Sequence, residues 1–240
     1  MERNSLKAFK KPKLQNLIGE KMIDFDKMID NHIARDHRAK THGRYYPSEI
    51  GSCIRKVWYS YKHPQEVKPD LAKIFELGNI MHDFVVDVLK SDKNHEVELL
   101  KSEFPLKIQG DDFLVSGRVD DLILVKESGK SWVVEVKSTK SVDYVNKASS
   151  AHLMQLQLYM HATGIHNGMM LYVDKTNLKS KIFPVEYSEE KAKEIMERFG
   201  QLHKLLTQGL LPIAEARKSN EMNWMCRFCE YNEKCEKNEL

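Results

Sequence analysis

The sequence predicts an α/β or α+β fold, helices layered on a mixed β-sheet. Three observations carry that prediction. Apolar residues recur at helical spacing up to about residue 90, period-two and continuous apolar runs take over between 104 and 136, and helix and strand patterns then alternate to about residue 207. Such an order fits neither an all-helical nor an all-strand class. With 240 residues, 41% apolar and 30% charged, the chain can enclose one sizeable core.

Each element has its own signature. Residues 1–15 are basic and polar and are expected to be poorly ordered. From Ile18 to Arg35, Met22, Phe25, Met28, Ile29, His32 and Ile33 mark an amphipathic helix that needs a packing partner. A short helix starting near Ser48 and Glu49 carries Cys53, Arg55, Trp58 and Tyr59, and Pro64 ends it. Residues 70–90 give the clearest helix. Leu71, Ile74, Leu77, Met81, Phe84, Val85 and Val88 form a broad face expected to be buried, with His82 at its flank. Phe104, Leu106 and Ile108 then alternate with Pro105 and Lys107, and Gly110-Asp111-Asp112 makes a turn. Two central strands follow, Phe113–Val125 and Trp132–Val136. The turn between them contains Gly129-Lys130-Ser131, but the first glycine of a phosphate-binding loop would fall at Leu124, which excludes that motif. Residues 145–163 read as a helix with His152, Gln155 and Tyr159 on one face. Strands at 169–174 and 181–185 precede a long helix from Glu189 to Thr207, stopped by Gly209 to Pro212.

Charge and apolar runs bound the function classes. No apolar run approaches the ~20 residues of a membrane span, and the N-terminus lacks the apolar stretch of a secretory signal. A cytoplasmic location and no membrane partner are therefore expected. Residues 1–44 hold eleven Lys/Arg against six Asp/Glu, so a basic arm precedes a near-neutral body. That distribution suits contact with nucleic acid phosphates, and equally a solvated tail.

The central hairpin carries charges that its apolar strands do not explain. Alternation places Glu135 and Lys137 on one face of the second strand and Trp132, Val134 and Val136 on the other. On the first strand Asp120 shares a face with Leu114, Leu122 and Leu124. If the strands pair antiparallel, Asp120 and Glu135 come close enough to share a divalent cation, which relieves their repulsion. Oxygen ligands with open positions suit Mg²⁺ or Mn²⁺, and a neighbouring lysine suits phosphodiester chemistry. An ordinary Glu–Lys pair on a surface hairpin fits the same residues. The cysteines form a second constellation, Cys53 alone and Cys226-x2-Cys229-x5-Cys235 crowded at the C-terminus. Four thiolates can ligate zinc or an iron–sulfur cluster, and one isolated ligand with three crowded ones favours the cluster.

In chain order these features read Cys53-x-Arg55, Gly78-x3-His82, Gly117-x-x-Asp120, Glu135-x-Lys137, Gln155-x3-Tyr159, Gly209-x-x-Pro212 and the three C-terminal cysteines. This ordered set resembles the RecB-like branch of the PD-(D/E)XK nuclease superfamily over residues 46 to 236. It is most similar there to the iron–sulfur nucleases associated with CRISPR arrays, and AddB nucleases share the cysteine layout. Each motif is short; their order and spacing together are specific.

The resemblance implies a restriction-endonuclease-like central mixed β-sheet flanked by helices, with a C-terminal Fe–S-binding clip. It divides the chain into a basic extension (1–45), a nuclease core (46–212) and a cysteine segment (213–240). His82, Asp120, Glu135 and the carbonyl of Val136 would hold Mg²⁺ or Mn²⁺, with Asp120, Glu135 and Lys137 catalytic. Gln155 and Tyr159 would help place DNA and the lysine, and Arg55 is a supporting basic residue beside the first cysteine. Cys53, Cys226, Cys229 and Cys235 would bind a 4Fe–4S cluster, with zinc the less favoured occupant. The implied activity is a metal-dependent DNA nuclease, an exonuclease on single-stranded ends. Its setting would be phage or mobile-element recombination, DNA repair or CRISPR adaptation, beside a recombination, replication or adaptation protein in a bacterial, archaeal or phage-infected cell. The rival is a non-cleaving adaptor that binds DNA ends with the same fold. Residues 1–45 have no counterpart in the family, and no helicase motif is present.

Overall fold

The structure is a computed structural model and describes residues 23–34 and 39–238. Six strands form one mixed sheet: β1 (Arg44–Tyr45), β2 (Val97–Gln109), β3 (Leu114–Val125), β4 (Lys130–Thr139), β5 (Asn167–Asp174) and β6 (Ser180–Glu186). Along one edge β3 pairs antiparallel with β2. On its other edge two strands share it. β1 runs parallel to its start, through Arg44↔Leu114 and Tyr45↔Val115, and β4 runs antiparallel to its end, from Asp121↔Val134 to Val125↔Lys130. Residues 116–120 belong to neither of these two ladders. β4 then continues parallel to β5, from Val133↔Gly168 to Thr139↔Asp174, and β6 closes the sheet antiparallel to β5. A parallel β4–β5 pair requires a crossover, and helix α4 (Ser150–Thr163) lies within it.

Side-chain alternation sends the two faces of this sheet to different helices. Helix α3 (Pro69–Lys90) sets Met81 and Val85 against Ile123, Val134, Val136 and Val173. Helix α4 sets Leu156, Tyr159 and Met160 against Val119, Leu122, Val133, Met170 and Tyr172 on the other face. A further core joins α2 (Ile54–Lys62) and α5 (Glu189–Gln208) to the start of β3 through Trp58, Tyr45, Val115, Phe199 and Leu202. The fold is therefore a central mixed sheet flanked by helices, as the order of elements predicts.

Helix α2 starts at Ile54 with Cys53 as its N-cap, rather than near Ser48, and α4 starts at Ser150 rather than at 145. Three further elements differ more. β2 begins at Val97, not near Phe104, because its first half carries Glu98, Lys101 and Glu103 on a strand hydrogen-bonded along one edge only. Charges there hide the strand from a hydrophobicity pattern while guarding an open edge. The broad face of α3 is not buried as expected. Met81, Val85 and Val86 are buried, all in the C-terminal half, whereas Leu71, Ile74, Leu77, Phe84 and Val88 are exposed. A 22-residue helix spans about 33 Å, and only its second half lies over the sheet core. Helix α1 (Phe25–Ile33), capped by the Asp24 carboxylate on the Lys27 N–H, buries Ile33 alone of its residues. It leans on α3, where Lys73 pairs with Asp30 at 2.8 Å. The expected start of that helix at Ile18, the expected disorder of residues 1–15 and the arm's charge cluster lie outside the described residues, apart from residues 23–34 and 39–44.

The C-terminal segment comprises α6 (Glu215–Lys218), a 3-10 turn (Asn223–Phe228) and α7 (Asn232–Lys237). It returns to α2, where Tyr231 is buried against Tyr59, with ring centroids 5.4 Å apart, and its hydroxyl donates to the His63 carbonyl at 3.0 Å. Among the described residues no helix is long and apolar enough to cross a membrane.

Candidate active site

The site forms where β3 and β4 part. Their last paired residues are Asp121 and Val134, so the next backbone donors on β4 have no β3 ladder to join. A side chain takes over: the Val136 N–H donates to Asp120 Oδ2 at 2.8 Å. This bond ties the first strand's carboxylate to the peptide of Val136. One residue earlier, Glu135 is fully buried on the α4 side of the sheet. Its Oε1 pairs with Lys137 Nζ, as their shared parity predicts, and its Oε2 has no hydrogen-bond partner among the described residues. A buried polar atom left unpaired costs about 1–3 kcal/mol. Its presence here points to a ligand.

His82 reaches the split from α3, on the other face. Its Nε2 lies 3.2 Å from Asp121 Oδ2, and its Nδ1 lies 3.7 Å from Glu103 Oε1. Glu103 occupies a gap in the β2–β3 ladder, just beyond the register shift between Leu99 and Lys101. Pairing passes from Ser102↔Asp121 to Phe104↔Val119, and Glu103 stands between them, opposite Asp120, at φ 53°. Arg118 forms an ion pair with it. One ligand atom from each of His82, Glu103 and Asp120 can be chosen so that all lie within 4.8 Å of one another.

The charges at the split are strongly shifted. Burial pushes Glu135 up to about 8, the nearby Asp120 charge adds to the rise, and Lys137 opposes it. Burial likewise raises Asp120, against the pull of Lys137. Burial alone would lower Lys137, but Glu135 and Asp120 outweigh it and hold the ammonium above its ordinary value. The hydrogen bond that His82 donates to the Asp121 carboxylate raises the imidazole's pKa to about 9, partly offset by burial and reinforced by Asp120. Crowded buried carboxylates whose charged forms burial disfavours, one with a bare buried oxygen, are the state a divalent cation relieves. Carboxylate oxygens with one imidazole suit Mg²⁺ or Mn²⁺. The residues present fit such an ion.

Helix α4 borders the same place. Gln155 Nε2 donates to the Tyr159 hydroxyl at 2.8 Å, both residues being buried. Burial, then the Glu135 charge, holds the Tyr159 phenol well above its ordinary value, so it stays neutral. One turn earlier His152 Nδ1 lies 2.8 Å from the hydroxyl of Tyr172, which is the register partner of Lys137. Burial and the lysine charge push His152 down to about 4.

The four cysteines meet elsewhere. Cys53 at the N-terminus of α2 and Cys226, Cys229 and Cys235 of the tail line one pocket, together with Arg217, Tyr59 and Tyr231. All four are free thiols, and burial raises those of Cys226 and Cys229. A four-cysteine set fits either zinc or an iron–sulfur cluster. Arg55 is buried, donating through Nε to the Pro212 carbonyl at 2.6 Å and through Nη1 to Cys235 Sγ at 3.6 Å. Its contacts hold the tail, and it faces the cysteine pocket.

Sequence reasoning gathers His82, Asp120, Glu135 and Lys137, and the structure brings these four together. It misses Asp121 and Glu103. Asp121 has the parity of Ile123, which only the placement of α3 reveals as the His82 face. Glu103 lies in a stretch whose charges conceal a strand.

The model of the PD-(D/E)XK nuclease superfamily matches residues 47–236. No curated protein matches the chain. Among solved structures, SSO0001 is similar with a TM-score of 0.58 and 20% identity, over 89% of this chain and 95% of that one. An alkaline exonuclease from Laribacter hongkongensis matches with a TM-score of 0.46 and 14% identity, over 70% and 89% of the two chains. A phage-related exonuclease from Haemophilus somnus 129PT matches with 0.49 and 12%, over 70% and 95%. With four fifths of its length matched by the family model, and a central mixed sheet between helices, this chain belongs to the PD-(D/E)XK nuclease superfamily.

Proposed function

We propose that this chain is a divalent-metal-dependent DNA nuclease of the RecB-like branch, acting as an exonuclease on single-stranded ends. The observation that carries the reading is the meeting of His82, Asp120, Glu135 and Lys137 at the β3–β4 split, with one Glu135 oxygen buried and unpartnered. His82, Asp120, Glu135 and the Val136 carbonyl would hold Mg²⁺ or Mn²⁺. When bound, such an ion lowers the pKa of water and neutralises charge developing on phosphoryl oxygens. Lys137 supplies an ammonium at the edge of the site, where it orients the attacking water or neutralises the phosphorane. The hydrogen-bonded Gln155–Tyr159 pair presents a neutral, rigid wall beside the lysine for the DNA strand.

The cysteine pocket would hold a 4Fe–4S cluster in a structural role, with Arg55 and Arg217 beside Cys235 favouring an anionic occupant over a neutral packing core. This layout supports the likeness to the iron–sulfur nucleases associated with CRISPR arrays, and a setting in DNA end processing within the cytoplasm. The test is direct. Anaerobically purified protein is incubated with 5′- and 3′-labelled single and double strands in Mn²⁺, Mg²⁺ or EDTA. Progressive shortening of single strands that EDTA abolishes is expected. DNA binding without turnover in either metal would overturn the nuclease reading in favour of an end-binding adaptor.

A further inference from the structure

Asp121 is fully buried, on the face of β3 where Ile123 joins the apolar core under α3, yet it belongs to none of the motifs that define the site. Its Oδ2 lies 3.2 Å from His82 Nε2, and its Oδ1 has no partner among the described residues. Burying a carboxylate is expensive unless it is paired and hydrogen-bonded, and an apolar side chain would fill this position against α3 at lower cost. Among the described residues, the hydrogen bond it makes through its side chain is to the ring of His82. The other nitrogen of that ring, Nδ1, turns to Glu103, part of the group that also includes Asp120. A neutral imidazole carries one proton, and the hydrogen bond made by one nitrogen decides which nitrogen keeps a lone pair for a metal.

We propose that Asp121 is the positioning residue of the metal site, holding His82 through Nε2–H so that Nδ1 is the atom presented to the divalent ion. The inference rests on the divalent-metal reading above and specifies how this chain's histidine serves it. It also explains the aspartate doublet. Asp120 projects into the β3–β4 split as a ligand, and Asp121, one residue on and therefore on the opposite face, orients the histidine that arrives from that face. Partners of this kind are typically worth 10–100-fold in metal affinity.

The test is calorimetric titration of the metal-free protein with MnCl₂, using wild type, Asp121→Asn, His82→Ala and the double variant, each checked for fold by circular dichroism. Asp121→Asn should weaken Mn²⁺ binding about 10–100-fold. The double variant should bind no worse than His82→Ala alone, because Asp121 acts only through that ring. Unchanged affinity in Asp121→Asn, or losses that multiply in the double variant, would overturn the proposal. ¹⁵N spectra of the wild type at alkaline pH, with the His82 signals identified by their absence in His82→Ala, give an independent readout that needs no folded Asp121 variant. They should show the Nε2–H tautomer, and an Nδ1–H tautomer would overturn the proposal. Wild type that binds no Mn²⁺ or Mg²⁺ would instead remove the metal-dependent reading itself, and this inference with it.

Discussion

Lys137 and Glu135 set opposite demands on one pocket. Their pairing satisfies the lysine but leaves the second glutamate oxygen bare in a buried place beside Asp120. Replacing Lys137 with Ala should lower metal-dependent cleavage of a labelled oligonucleotide by about 10²–10⁴-fold, the usual range for loss of a proton-handling side chain. Cleavage at the wild-type rate by contaminant-free protein would remove the lysine from the mechanism. The raised Glu135 makes a second prediction. Its unfolded value lies near 4.3 and its folded value near 8, so between these the folded state keeps a proton that the unfolded state releases. Stability is therefore highest below the unfolded value and falls as pH rises toward 8. In EDTA, the Tm of wild type should drop over that window, and Glu135→Gln should flatten the drop. A wild-type profile as flat as that of the variant would show that the carboxylate carries no such strain. At this scale Asp120, Glu135 and Lys137 were legible because strand parity is a local rule. Asp121 obeys the same rule, but its partner is 39 residues away on a helix, and sequence alone does not say which face that helix covers.

Among the elements, α3 shows how pattern and burial separate. Its apolar stripe is continuous, but the sheet core underlies only the second half, so the first half meets α1 and solvent. Gly78 sits midway in this helix, and a Cβ added there would meet nothing within 4 Å. Gly78→Ala should therefore stabilise the protein by about 0.5–1 kcal/mol in urea unfolding. A loss of stability would contradict the open space around this position. The opposite is expected where α4 meets the turn before α2. A Cβ on Gly51 would fall 2.2 Å from Ala151 Cβ and 2.3 Å from its Cα, and backbone cannot yield as a flexible side chain does. Gly51→Ala should cost about 1–3 kcal/mol, and an unchanged urea midpoint would contradict that packing. β2 was half visible, since Leu106 and Ile108 alternate, whereas Glu98, Lys101 and Glu103 read as a polar break.

Over the whole molecule, the two ends of the matched region are drawn together. Cys53 meets the tail cysteines in one pocket, and the tail is held independently by the buried Tyr231, its bond to His63 and the Arg198–Glu215 pair. If a metal group occupies that pocket, Cys229→Ser should lose the bound iron or zinc and lower the Tm, with any absorbance near 400 nm from sulfur-to-iron charge transfer lost as well. Metal content equal to wild type would exclude Cys229 as a ligand. The sequence by itself determined the class of fold, the position of most elements and which charged residues of the hairpin share a face, because periodicity, parity and short motifs depend on neighbours along the chain. Only the tertiary structure decided that β4 leaves β3 at Asp121, that α3 delivers His82 to the face where that aspartate waits, and that Glu103 stands opposite Asp120. Those facts depend on which surfaces meet when the core closes, and distance along the chain carries no record of that.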